Sequence, residues 1–154
     1  MIEVNTNAFG KIAIEDDKII CFEHGILGFP ELKRFALIFN IEKGVESSIK
    51  WLQSLEEPNF AMPVMNPNLV MEDYEPMFDR ELLKPLGDNL DSDALLMFVT
   101  VTVPKDITKI TVNLKAPIIV NAQACKAVQL ISDNDAYSIK YAIYDQLEAR
   151  KAGE

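Results

Sequence analysis

Short runs of β-branched, aromatic and aliphatic residues recur along the whole chain, and turn residues interrupt nearly every one of them. The strongest run is residues 94–103, Ala-Leu-Leu-Met-Phe-Val-Thr-Val-Thr-Val, which predicts a central strand. Residues 137–143 alternate apolar and polar side chains, as a half-buried strand does. A short helix is predicted after Asp79, ending near Pro85 and Gly87. The pattern therefore predicts an all-β fold, a small antiparallel β-barrel-like structure with at most one or two short helices.

The length of the chain sets its organisation. A chain of 154 residues with 49% hydrophobic content suits one domain with its own core, which we expect to span residues 1–143. Residues 144–154 contain helix formers without an apolar face and are expected to form a mobile C-terminal tail.

A closed barrel leaves few unpaired strand edges, so we expect a monomer. The sequence has neither a membrane-length apolar run nor a secretory leader pattern, which favours a cytoplasmic location.

An unusually apolar connector, residues 24–32, joins two β-rich runs. It is longer than an ordinary hairpin turn and carries Ile26, Leu27 and Phe29. Large apolar side chains in a loop must either fold back on the core or be offered to a partner. The sequence leaves both interpretations open: a plug under the sheet, or a docking surface.

The charge of the chain favours protein partners over nucleic acid. Asp and Glu number 24 against 15 Lys and Arg, a net charge of −9, and such a chain repels phosphate backbones while attracting basic proteins. Tyr74 lies among Glu72, Asp73 and Glu75. An apolar ring with an acidic rim suits a basic, partly apolar protein surface. The alternative is one buried tyrosine surrounded by three solvated carboxylates.

Histidine and cysteine are few, and no catalytic or metal-binding motif stands out among the many carboxylates. His24 is the one histidine, and no sequence feature places a nucleophile beside it. Histidine and cysteine together supply three dispersed metal ligands, and no glycine-rich phosphate loop occurs. We therefore expect no catalytic residue, no cofactor and no metal. The rival interpretation is a small-ligand-binding β-barrel or an enzyme that uses His24 and nearby carboxylates.

Four groups of residues, in order along the chain, carry a resemblance to a known family. They are residues 20–35 (ICFEHGILGFPELKRF), residues 51–67 (Trp-Leu-Gln-Ser, Pro58, Phe-Ala-Met-Pro-Val and Asn-Pro), residues 111–118 (TVNLKAPI), and Gln129 with residues 137–141 (YSIKY). Together they resemble the bacterial flagellar assembly factor FliW, over most of the chain from Met1 to about Ile143. Asn66 stands where the family more usually has an acid.

The resemblance implies a non-catalytic, β-barrel-like protein of the cytoplasm with two protein partners. FliW-like proteins bind flagellin, and they bind CsrA, a small basic RNA-binding repressor of flagellin translation. Exchange between these partners would couple flagellin synthesis to secretion; alternatively, only the chaperone role toward flagellin applies. We place CsrA contact at the acidic rim and give the apolar connector a share of partner contact. The predicted partner-binding residues are Ile26, Leu27, Phe29, Glu72, Asp73, Tyr74 and Glu75.

Overall fold

The computed structural model describes residues 2–6, 10–15, 18–26, 28–39, 49–77, 80–87, 95–133, 137–146 and 148. The strands are β1 (Ile2–Thr6), β2 (Gly10–Ile14), β3 (Ile19–Phe22), β4 (Arg34–Phe39), β5 (Ile49–Ser54), β6 (Ala61–Met65), β7 (Leu95–Thr102), β8 (Thr111–Val112), β9 (Ile118–Asn121), β10 (Lys126–Gln129) and β11 (Tyr141–Ala142). Short 3₁₀ helices cover Pro67–Leu69, Arg80–Leu86 and Ile107–Lys109.

Seven strands close into a barrel in the order β7-β6-β5-β4-β3-β10-β9, and β9 pairs with β7 to complete the ring. The closed barrel confirms the all-β prediction. All ring pairs are antiparallel except β3 with β10, which run parallel with Cys21 opposite Lys126. These two strands are distant in sequence and no hairpin joins them, so no turn imposes an antiparallel pairing.

Strand β7 pairs with three other strands, β6, β8 and β9. Its first half pairs with β9, placing Phe98 opposite Ile118, and Val99 and Thr100 pair with β6. Its end pairs with β8, which in turn pairs with β11. The run 94–103 was predicted to be central because it is the most strand-like segment of the chain, and these pairings confirm it. β1 and β2 form a separate two-stranded hairpin.

The two largest apolar clusters among the described residues form the main core. The barrel cluster draws on all seven ring strands and includes Phe22, Phe35, Leu52, Val64 and Ile118. The second cluster lies where β7 meets β8 and β11. Its buried members are Met65, Val70, Tyr74, Val99, Val101, Ile110, Val112, Leu114 and Ile143. Each fully buried side chain of this size stabilises the fold by roughly 1.5–3 kcal/mol.

The predicted short helix is present as the 3₁₀ helix Arg80–Leu86, and Pro85 lies inside it rather than ending it. The end comes at Gly87, whose φ of 106° is left-handed and whose N–H donates to the Lys84 carbonyl at 3.0 Å. Leu83 and Leu86 pack on β9 and β10. In the predicted tail, residues 144–146 and 148 are helical, whereas 147 and 149–154 lie outside the described residues, so the tail's mobility stays a prediction.

Candidate protein-binding surfaces

The connector between β3 and β4 is closed on itself by backbone hydrogen bonds. Phe29 N–H donates to the Ile26 carbonyl at 2.9 Å, and Ile26 N–H donates back to the Phe29 carbonyl at 3.3 Å. Gly25 has a φ of 68°, and a Cβ there would lie 2.5 Å from the Pro30 carbonyl oxygen. Gly25 is therefore required at this point, because only glycine fits where the backbone passes so close to Pro30.

Ile26 belongs to the core and not to a docking surface. Its side chain is only 4% exposed and joins the barrel cluster together with Leu32. Ile26 was predicted to contact a partner directly, and this is corrected: its apolar side chain is buried in the core, which is the plug interpretation of the connector. Leu27, the second predicted contact, lies outside the described residues.

Phe29 is the connector residue that reaches the surface. Its side chain is 43% exposed, and its ring packs edge-on against Phe60 with centroids 4.9 Å apart. Phe60 contacts Phe35 at 6.2 Å, and Phe35 contacts Phe22 at 5.2 Å. Since these ring contacts run from the core to the surface, they hold the Phe29 ring in a defined position.

Tyr74 is also buried, which corrects its expected place at the centre of an exposed acidic rim. It is 7% exposed, its hydroxyl donates to the Leu114 carbonyl at 2.6 Å, and its ring lies 4.8 Å from that of Tyr137. Burial is the main reason why the pKa of Tyr74 lies well above its ordinary value, and the electrostatic effect of Tyr137 raises it further. Tyr74 thus anchors the acidic segment as a protonated hydrogen-bond donor.

The three acids around Tyr74 are exposed, as a solvent-facing rim requires. The Asn68 side-chain amide donates to the Glu72 carbonyl at 3.2 Å, and Asn66 accepts from Asn68 N–H at 2.9 Å. Glu75 N–H donates to the Tyr137 hydroxyl oxygen at 2.8 Å. The segment carrying Glu72, Asp73 and Glu75 is therefore tied down at both ends. Tyr137 was missed as a site residue because its pairing with Glu75 is long-range and leaves no local signal.

His24 borders a groove in the part of the chain that the structure describes. The groove has a volume of about 510 Å³ between the connector, the 3₁₀ helix Arg80–Leu86 and β10. Its described lining includes Glu23, Glu81, Lys84 and Gln129, and contains no serine, threonine or cysteine that could act as a nucleophile. Among the described residues, no group of three or more His, Cys, Asp or Glu side chains could hold a metal ion.

Phe29 packs on the barrel cluster, whereas the acidic segment packs on the second cluster, so the structure presents two candidate surfaces. In the part of the chain that the structure describes, no helix has the length and apolarity needed to cross a membrane. Fold and surfaces together define a seven-stranded β-barrel protein that displays fixed loop surfaces.

Comparison with known proteins assigns the family. The family model described as FliW protein matches residues 3–143, and the chain belongs to the FliW family. The flagellar assembly factor FliW of Lachnospira eligens is 48% identical over 147 residues, 96% of this chain and 97% of its own. That of Thermotoga neapolitana is 40% identical over 150 residues, 97% and 98% of the two chains. A crystal structure of the flagellar assembly factor FliW aligns with a TM-score of 0.83 at 29% identity, covering 93% and 97%.

Proposed function

We propose that this protein is a non-catalytic, cytoplasmic flagellar assembly factor that binds flagellin and antagonises the translational repressor CsrA by protein–protein binding. The observation that carries the proposal is the nearly full-length similarity to proteins named flagellar assembly factor FliW. A rigid barrel with exposed, fixed surface residues is consistent with binding, since little ordering is needed at the moment of association.

The mechanism is partner exchange. Accumulating unsecreted flagellin occupies the protein, so CsrA is released and represses flagellin translation. Once secretion proceeds, the protein is freed, sequesters CsrA, and translation resumes. Synthesis is thereby coupled to secretion without any chemical step, through the relative concentrations and affinities of two partners.

The acidic segment is the proposed contact for CsrA. Glu72, Asp73 and Glu75 are exposed, and the chain carries a net charge of −9. Such a surface attracts a basic protein and accelerates its association, and salt screens that attraction. Phe29, on the other surface, is proposed to contribute to partner contact, because part of its ring remains available for burial.

The testing experiment titrates the purified protein with purified flagellin and purified CsrA, separately and together, at low and at physiological salt. We expect two binary complexes and displacement of CsrA by flagellin. Binding of flagellin without CsrA would reduce the proposal to a chaperone role. Binding of neither partner would overturn it.

The groove beside His24 favours one alternative function, binding of a small ligand. Its volume of about 510 Å³ lies within the range of small-molecule sites. Native mass spectrometry of protein purified from its own cell tests this, with His24→Ala as the comparison. A bound metabolite that His24→Ala loses would support the alternative, and an unliganded mass for the wild type would count against it.

A further inference from the structure

Two large aliphatic side chains are strongly exposed at one edge of the acidic segment. Met77 is 62% exposed and Ile131 is 58% exposed. Although distant in sequence, their segments are joined directly: Asp133 N–H donates to the Met77 carbonyl at 2.6 Å. Single exposed aliphatics are ordinary on protein surfaces, but these two lie on segments joined by a hydrogen bond, which brings two exposed apolar side chains to one region of the surface.

The segment carrying Ile131 is held in a defined orientation. Ser132 is only 2% exposed and its N–H donates to the Lys115 carbonyl at 2.7 Å, while Leu130 is buried. Alternation therefore turns Ile131 and Asp133 toward solvent. The neighbouring segment is fixed by the Glu75–Tyr137 hydrogen bond, so a partner meets a surface that is already ordered.

Acidic side chains accompany the aliphatic pair. Asp133 is exposed beside Met77, and Glu75 precedes Met77 by two residues. Glu72 and Asp73 continue the acidic rim on the same segment. The composition of the patch, apolar at Met77 and Ile131 with carboxylates around it, fits the arrangement of protein interfaces, in which an apolar centre is surrounded by a polar rim.

We propose that Met77 and Ile131 form the apolar centre of the acidic surface and receive an aliphatic side chain from a basic protein segment. Lysine and arginine side chains of the same segment contact the carboxylates of Glu72, Asp73, Glu75 and Asp133. The negative charge selects a basic protein and disfavours nucleic acid or an anionic membrane, whose phosphates it repels. This inference rests on the proposed function, since it specifies how the acidic surface holds its basic partner.

The test measures CsrA affinity for Met77→Ser, Ile131→Ser and the double variant as a function of salt. We expect the double variant to lose affinity by about tenfold or more, mainly through faster dissociation. Its salt dependence should stay that of the wild type, because no charge is removed. Circular dichroism and thermal melting should be unchanged, since both side chains are exposed.

Ile107→Ser is the matched control, because Ile107 is 50% exposed but lies in the 3₁₀ helix Ile107–Lys109, outside the acidic segment. It should bind like the wild type. If the wild type binds CsrA but the double variant binds equally well, or if Ile107→Ser loses as much affinity, the inference is overturned and the proposed function stands. If the wild type fails to bind CsrA, the proposed CsrA antagonism fails and this inference falls with it.

Discussion

Glu75 donates its backbone N–H to the hydroxyl oxygen of Tyr137 at 2.8 Å, across 62 residues of sequence. The ring of Tyr137, whose hydroxyl accepts this hydrogen bond, also packs on the ring of Tyr74. One side chain thereby joins the acidic segment to the C-terminal part of the fold. The position of the carboxylates is consequently a property of tertiary structure, not of the local turn.

Tyr137→Phe should loosen the acidic segment while keeping the ring contact. Loss of the hydroxyl acceptor should lower the free energy of unfolding by about 1 kcal/mol and raise hydrogen exchange at the Glu75 amide. Tyr141→Phe is the control, because the Tyr141 hydroxyl accepts from Gln146 in the predicted tail. Unchanged exchange at Glu75 in Tyr137→Phe would contradict the structural role of this hydrogen bond.

Tyr74 should make stability sensitive to alkaline pH. Its pKa in the folded state is raised above the ordinary value of 10.0, so the folded state holds the proton more tightly than the unfolded state. Its contribution to stability is therefore complete below pH 10 and is lost as the pH rises toward the folded pKa. Urea unfolding of the wild type above pH 10 should show this loss, and Tyr74→Phe should lose less stability over the same pH interval.

At neutral pH the same Tyr74→Phe variant should be less stable than the wild type by about 1–3 kcal/mol, because the Leu114 carbonyl is left buried without its donor. Equal stability at neutral pH would mean that the 2.6 Å hydrogen bond is not a net contributor.

Gly25→Ala and Gly28→Ala distinguish the stability lost through a left-handed backbone conformation from the stability lost through a steric clash. Both glycines have positive φ, 68° and 88°, but only Gly25 has a backbone oxygen, that of Pro30, where a Cβ would lie. Gly28→Ala should cost about 1–2 kcal/mol for the left-handed conformation alone. Gly25→Ala should cost clearly more, by the added clash, as measured by chemical denaturation. Equal costs would argue against the close crossing at Pro30.

Asp73→Lys should weaken CsrA binding and reduce its dependence on salt, since an attractive charge becomes a repulsive one. Glu15→Lys makes the same change of net charge at an exposed position after β2 and serves as the control. Calorimetric or surface-based titrations at two salt concentrations measure both effects. Equal losses in the two variants would indicate that net charge, and not the acidic segment, governs association.

Phe29→Ser and Ile26→Ser distinguish the surface residue of the connector from the core residue. Phe29→Ser should weaken partner binding and cost about 0.5–1.5 kcal/mol of stability through the lost contact with Phe60. Ile26→Ser should lower the free energy of unfolding by about 2 kcal/mol or more, because it leaves a cavity and a hydroxyl group in the barrel cluster. A strongly unfolded Phe29→Ser would instead assign Phe29 to the core.

The sequence predicted most of the fold, because strand-forming composition and turn residues are local signals. The run 94–103 appears as Leu95–Thr102, and the helix after Asp79 appears as Arg80–Leu86. Residues 137–143 were predicted as a strand, yet only Tyr141–Ala142 pairs, and Ile139 is 64% exposed. Alternation carries no information on whether a neighbouring backbone is available to pair, and outside a paired strand the apolar side chain of Ile139 faces solvent.

The candidate surfaces were predicted only in part. Exposed carboxylates at Glu72, Asp73 and Glu75 follow from their charge alone. The burial of Tyr74 depends on Leu114 and Tyr137, and the parallel pairing of β3 with β10 depends on barrel closure. Such long-range contacts leave no local pattern, so the sequence left open whether Tyr74 is exposed at the centre of the acidic rim or buried beneath it, and the structure shows it buried.

The route by which the ring closes bears on when the protein can fold during its synthesis. β3 pairs with β10, and β7 pairs with β9, so β3 and β7 are synthesised before the strands with which they pair. A nascent chain cannot complete the barrel before residue 129 has left the ribosome. Because long-range pairing of this kind is slow, newly made protein completes its barrel only after nearly the whole of it has been translated, and no surface that depends on the closed barrel exists before then.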